Sequence, residues 1–279
     1  MRKQKLFIHE LLFHVRIGIL FCSLVVKSVI SADPSYVACK PRNCGSGPNI
    51  SFPFYVDGAG ADFCGLKGFR ITCQESTPIF RTPRGPYIVA NISYENQSVR
   101  LVDLDVVNAS CVAPKHYFIF DDGSPFEFSS SHVNIQFFYN CNKSFTPTFE
   151  TSLVPCASNS SKHSSVALVP NDEDLGKNRD ASDSYEYCES EVSVPVDLEG
   201  YWKSNTTIKT VNYTELLMAG FSLVWYGDAC ANCKTSGGRC GFQNNQSLCF
   251  CPDGPHPTHC GGKSPCILLS IISILIHVL

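Results

Sequence analysis

Between Cys39 and Cys141 the apolar residues fall in short alternating runs, "GFRITC", "YIVANIS", "SVRLVDL" and "VNIQFFYN". A period of two sends every second side chain to one face of an extended strand. Pro and Gly punctuate the runs, as in "TPRGPY" and "DDGSP", and mark turns. This pattern predicts small antiparallel sheets rather than long helices. Residues 142–229 are more irregular, a linker with some β-structure. Within them "NYTELLMAGFSLVWYGDAC" predicts a short helix over Thr214–Ala219 and a strand over Phe221–Tyr226. Residues 230–260 hold no apolar run able to make a core. No internal repeat or coiled coil is evident.

The two ends carry a different pattern. Arg2, Lys3 and Lys5 precede the apolar run Ile17–Val26, and Ser31 and Ala32 follow it. This is the layout of a secretory signal peptide over residues 1–32, although Glu10, Arg16 and Lys27 are atypical and an uncleaved anchor helix is the alternative. Cleavage would remove Cys22. Residues 267–279 form an apolar tail of 13 residues, short of the roughly 20 needed to cross a bilayer. Gly261, Gly262 and Ser264 before it fit a lipid-anchor signal with a short spacer. A truncated membrane span and a secreted chain with a poor anchor are the rivals.

The chain has 16 cysteines, and setting aside Cys22 and Cys266 leaves 14. These are Cys39, Cys44, Cys64, Cys73, Cys111, Cys141, Cys156, Cys188, Cys230, Cys233, Cys240, Cys249, Cys251 and Cys260. A zinc site is an alternative, since His256 and His259 lie near paired cysteines. A redox Cys230-x2-Cys233 pair is another. An even, dense set behind a signal peptide instead predicts an oxidised framework of seven bridges. Nine N-x-S/T sites support the same compartment: Asn49, Asn91, Asn96, Asn108, Asn142, Asn159, Asn205, Asn212 and Asn245. The chain therefore reads as a mainly β, disulfide-rich, glycosylated ectodomain bound for the cell surface or apoplast, anchored to membrane through its tail.

A formal charge of −3 argues against a nucleic-acid binder. Charge is also unevenly spread. Pro170–Glu199 carries ten acids and two bases, a solvated acidic loop. Asp172, Glu173 and Asp174 offer clustered oxygen donors there, but the spacing and glycine of a calcium loop are missing. No metal or cofactor is expected.

The spacing C-x2-C-x6-C-x8-C-x-C-x8-C over residues 230–260 ends like an EGF-like module. That resemblance implies the pairs Cys230–Cys240, Cys233–Cys249 and Cys251–Cys260, where sequence alone allows about 15 pairings. "CKPRNCGSGPNISFPFYVDG" followed by "CGLKGFRITC" resembles the galacturonan-binding ectodomain of plant wall-associated kinases. "GFSLVWYGDACANCKTSGGRCGF" with "CFCPDG" resembles their C-terminal cysteine-rich module. Together the two resemble the ectodomain of leaf-rust-resistance-locus-like receptor kinases, over about Cys39 to Cys260. The resemblance implies a galacturonan-binding domain over residues 39–141 and binding of pectin or homogalacturonan. No phosphate-gripping glycine loop and no His-Arg-Asp catalytic loop occurs in the sequence, so no kinase is expected within it.

Hydrolysis of a polysaccharide needs two carboxylates across the scissile bond. Asp103 and Asp105 would share a face of a predicted strand, and Glu127, Glu150 and Glu215 are other acids, yet nothing marks a pair above background. No catalytic residue is assigned. Binding a polyanion needs Lys or Arg, and aromatic faces for the sugar rings. Cys39–Arg100 holds Lys40, Arg42, Lys67, Arg70, Arg81, Arg84 and Arg100 against Asp57, Asp62, Glu75 and Glu95, a net of +3. Phe52, Phe54, Tyr55, Phe69 and Tyr87 are interleaved, with Phe52 and Phe54 read as core. The ligand-binding set is Lys40, Arg42, Lys67, Arg70, Arg81, Arg84, Tyr55 and Tyr87. A second reading is a protein-binding co-receptor or decoy for a related receptor kinase, with the acidic loop as its contact.

Overall fold

The structure, a computed structural model, describes residue 17 and residues 32–58, 60–142, 151–158, 163–168, 187–198, 212–227 and 230–261. The expected tail, Asp172, Glu173, Asp174, Glu150, Asn159 and Asn205 lie outside the described residues, as does the expected signal peptide apart from residues 17 and 32.

The fold is mainly β. The first five strands are β1 (Tyr55–Val56), β2 (Arg70–Gln74), β3 (Thr77–Arg81), β4 (Pro86–Ser93) and β5 (Ser98–Asp103). Then come β6 (Phe126–Phe128), β7 (His132–Cys141), β8 (Thr151–Leu153), β9 (Ser164–Leu168), β10 (Ser190–Asp197) and β11 (Phe221–Trp225). The last three are β12 (Arg239–Gln243), β13 (Gln246–Cys251) and β14 (Gly254–His256). Among the described residues four short helices join them: α1 (Pro34–Ala38), α2 (Leu104–Val107), α3 (Tyr213–Ala219) and α4 (Ala231–Thr235). The strands form a seven-stranded sheet ordered β1-β2-β3-β4-β5-β11-β6, a four-stranded sheet ordered β10-β7-β9-β8, and a three-stranded sheet β12-β13-β14.

The alternating runs become β2, β4, β5 and β7. Long-range pairing rearranges them: β11 leaves the irregular segment to pair with β5 and β6, while β7 pairs with β9 and β10. The predicted helix before β11 forms over Tyr213–Ala219. Asn212 caps it by accepting from the Thr214 N–H at 3.1 Å, and Asn212 Nδ2 donates to Glu215 Oε1 at 2.9 Å. Gly220 ends it at φ +73°, and a Cβ there would lie 2.0 Å from the Leu101 carbonyl oxygen. Only glycine lets β11 turn out of α3 this close to β5.

The first sheet buries an aromatic core. Phe54 is 1% exposed and meets the rings of Phe69 and Trp225 edge-on, each at a centroid distance of 5.1 Å. Phe52 is buried too, as read. The second sheet buries Val133, Ile135, Phe137, Val194 and Val196 with Leu216 and Leu217 of α3. An ion pair links the sheets. Buried Asp197 at the end of β10 accepts from Ser129 Oγ at 2.9 Å, and Arg100 of β5 stands 3.4 Å from its Oδ2. That oxygen has no hydrogen bond, so the Arg100 contact is one of charge alone.

Among the described residues seven disulfides close the framework: Cys39–Cys64, Cys44–Cys73, Cys111–Cys156, Cys141–Cys188, Cys230–Cys240, Cys233–Cys249 and Cys251–Cys260. The last three are the pairs that the EGF-like resemblance implied. The cysteine-rich module is not an isolated bead. Phe250 is fully buried against Phe63 at a ring distance of 5.5 Å, and Lys234 lies 5.4 Å over the Tyr94 ring. Arg239 sits 3.9 Å over the Tyr36 ring and donates to the Tyr36 carbonyl.

Candidate ligand-binding surface

Register brings part of the expected basic set together. Tyr55 is the partner of Arg70 between β1 and β2. Ile71 pairs with Phe80 across β2 and β3, so Arg70 and Arg81 form the next rung, and Arg81 pairs with Pro86 of β4. Partners across a sheet share a face. Tyr55, Arg70 and Arg81 therefore stand in one row across three strands, while Ile71 and Phe80 turn into the core. Facing arginines at about 5 Å repel each other. Asp57 lies 3.7 Å from Arg70, an exposed pair, and Gln74 accepts from Arg81 at 3.4 Å. Lys40 and Arg42 line a small depression that Tyr55 also lines. Tyr55 is half-buried, and burial first, then the Asp62 carboxylate, raises its hydroxyl pKa.

Arg84 lies in the turn after β3, where it donates to the Tyr117 hydroxyl at 2.8 Å and sits 4.6 Å over that ring. Lys67 is exposed on the turn before β2, and no hydrogen bond or ion pair ties its side chain to the row among the described residues. Tyr87 must be withdrawn from the set. It is 3% exposed and packs against Phe118 and Phe221, because it alternates in phase with Val89 toward the core. Burial, followed by Asp103 and Asp105, pushes its hydroxyl pKa well above the ordinary value. Arg100, counted among the bases, is engaged with Asp197.

The carboxylates weighed for hydrolysis also move. β5 stops at Asp103, which caps α2 by accepting from the Asp105 N–H at 2.8 Å, so the two do not share a strand face. Burial chiefly raises the Asp103 carboxyl pKa. The sulfurs weighed as zinc ligands are bonded to one another in disulfides. His256 and His259 pair with Asp253 and Thr258 instead. The seven described sequon asparagines, Asn49, Asn91, Asn96, Asn108, Asn142, Asn212 and Asn245, are all exposed.

Two features escaped the sequence reading. Tyr117, 44% exposed, has no sequence signal beyond its type. A cleft of about 970 Å³ lies between the 105–115 segment and the second sheet, lined among others by Asp105, Asn108, Lys115, Tyr139 and Glu191. Its two carboxylates suit a polyanion poorly.

The family described as wall-associated receptor kinase galacturonan-binding matches residues 39–103, which contain the whole Tyr55–Arg70–Arg81 row and Arg84. The family described as wall-associated receptor kinase C-terminal matches residues 155–254. The chain carries both wall-associated receptor kinase domains. Leaf rust 10 disease-resistance locus receptor-like protein kinase-like 1.2 of Arabidopsis thaliana is 33% identical over 260 residues, covering 92% of this chain and 39% of the relative. The 2.1 member of that series, from the same plant, is 24% identical over 85% of this chain and 37% of its own length. The RING-H2 finger protein ATL22 of A. thaliana is 27% identical over 70% of this chain and 48% of its own length. The chain thus spans about two-fifths of the receptor-like kinases it matches. No solved structure matches. These wall-associated-kinase-type domains are receptor and binding domains rather than catalytic ones, and such receptor-like relatives imply an extracellular or cell-surface location. No helix among the described residues is long and apolar enough to cross a membrane.

Proposed function

We propose that the protein binds demethylated pectin through the surface centred on Tyr55. The observation that carries this reading is the row of Tyr55, Arg70 and Arg81 across three neighbouring strands, with Lys40 and Arg42 lining a depression that Tyr55 also lines. A sugar ring stacks on Tyr55 while guanidinium groups pair with carboxylates of neighbouring units. Arg84, held by Tyr117, extends the surface. Each exposed ion pair contributes only about 0–1 kcal/mol. Affinity therefore arises from several contacts along a polymer, through effective concentration. The protein binds without cleaving its ligand, and its apolar tail anchors it at the membrane.

Binding of homogalacturonan oligomers by the purified glycoprotein tests this reading. Affinity should fall steeply between about 0.05 and 0.5 M salt, as the Debye length shrinks to a few ångströms. It should rise with oligomer length and vanish on full methyl esterification. Replacing Arg81 and Arg84 together with Ala should weaken binding with the fold intact. Affinity indifferent to salt and methylation would overturn the mechanism and favour a protein partner.

A further inference from the structure

Beneath the loop that carries Tyr117, three donor groups from two parts of the chain meet. The carboxylates of Asp103 and Asp105 and the imidazole of His116 bring one ligand atom each within 4.8 Å of one another. Asp103 commits Oδ1 to the Asp105 N–H at 2.8 Å, which leaves Oδ2 turned toward His116. Oδ2 and His116 Nε2 stand 4.0 Å apart. That is beyond hydrogen-bond range, and the buried Nε2 atom has no hydrogen-bond partner. Gly85 packs against the same nitrogen. A Cβ built on it would lie 2.5 Å from Nε2, so any side chain there would fill the space before that nitrogen.

A buried, unbonded ring nitrogen facing a carboxylate oxygen across an open gap is an arrangement that a cation completes. Metal–nitrogen and metal–oxygen bonds of zinc are each about 2.0–2.2 Å, so two donors on a tetrahedral ion stand about 3.4 Å apart. A small rotation of the His116 or Asp103 side chain closes the 4.0 Å separation to that distance, and Asp105, which is exposed, is free to swing its carboxylate in as a third donor. Imidazole selects zinc-class ions over the oxygen-preferring calcium and magnesium. We infer that Asp103, Asp105 and His116 bind a divalent transition-metal ion, with three protein donors and the remaining position open to water. The ion would fasten α2 to the loop that holds Tyr117 against Arg84. The inference does not depend on the polysaccharide reading.

Zinc titration of the untagged, metal-stripped full chain by calorimetry tests this assignment, with magnesium as the control ion. One equivalent should bind, and magnesium should give no heat. Asp105→Asn, at an exposed position, and His116→Gln should each weaken zinc binding at least about tenfold, the scale on which even outer-shell partners act. Gly85→Ala, which removes no donor but fills the gap, should do the same. Cobalt should give visible d–d bands that disappear in His116→Gln. Zinc bound equally well by His116→Gln and Asp105→Asn would place it on surface histidines such as His256 and overturn the inference. So would a native chain that binds no zinc.

Discussion

The seven-stranded sheet and the cysteine-rich module solve the same problem by different means. The sheet draws on long-range aromatic packing, with Phe54, Phe69, Phe126 and Trp225 converging from four separate places in the chain. The module has Phe250 and little else that is large, and its interior is mostly sulfur. Too small a core forces reliance on cross-links. The difference teaches where each region is vulnerable. Apolar truncation should damage the sheet, and reduction should damage the module.

The largest expected effect is from Phe54→Ala, which should cost about 3–5 kcal/mol because its edge-on partners cannot collapse into the cavity. Chemical denaturation followed by tryptophan fluorescence would show a lower midpoint. Next comes the Cys251→Ser, Cys260→Ser pair, expected to cost about 2–4 kcal/mol. Limited proteolysis should then cut within residues 230–260 while the sheets stay resistant. If both regions open together, the Phe63–Phe250 and Arg239–Tyr36 contacts have fused them into one cooperative unit and the contrast fails.

A smaller effect should follow Asn212→Ala, about 1 kcal/mol through loss of the α3 cap, read as a modest fall in Tm. The smallest, near neutrality, is alkaline. Burial raises the hydroxyl pKa values of Tyr87 and Tyr139 in the sheets. A group whose pKa is higher folded than unfolded holds its proton more tightly when folded, so stability is full below the ordinary value of 10.0 and falls as pH rises past it. Phenolate absorbance should show these tyrosines ionising only as the sheets open. Early, reversible ionisation of all tyrosines would contradict the packing.

The alternation of apolar residues made the β-class legible, and the cysteine spacing made the module legible. Both signals are local. What was illegible is non-local: nothing in "GFSLVW" says that it will lie between strands from residues 98–103 and 126–128, or that Arg100 will face Asp197. Within the candidate site, type and charge identified Arg70 and Arg81, but only register shows them on one rung. Tyr87 and Tyr55 look alike as residue types. Their fates differ because Tyr87 lies in phase with Val89, a distinction that strand phase carries and composition does not. Asp105 was misplaced because the Asp103 cap turns the chain into α2 just where the strand pattern would have continued.

The hydrogen bond from the Asp33 N–H to the Pro252 carbonyl, at 3.0 Å, places the beginning of the described fold against the turn between β13 and β14, close to its end. In mechanical terms the fold is a loop pinched at its neck rather than a strut. Tension applied between residues 32 and 261 would pass through the Cys251–Cys260 bridge and load that neck and its Arg239–Tyr36 clasp first. The sheets would hang beside the line of force and be stretched only after the neck gives.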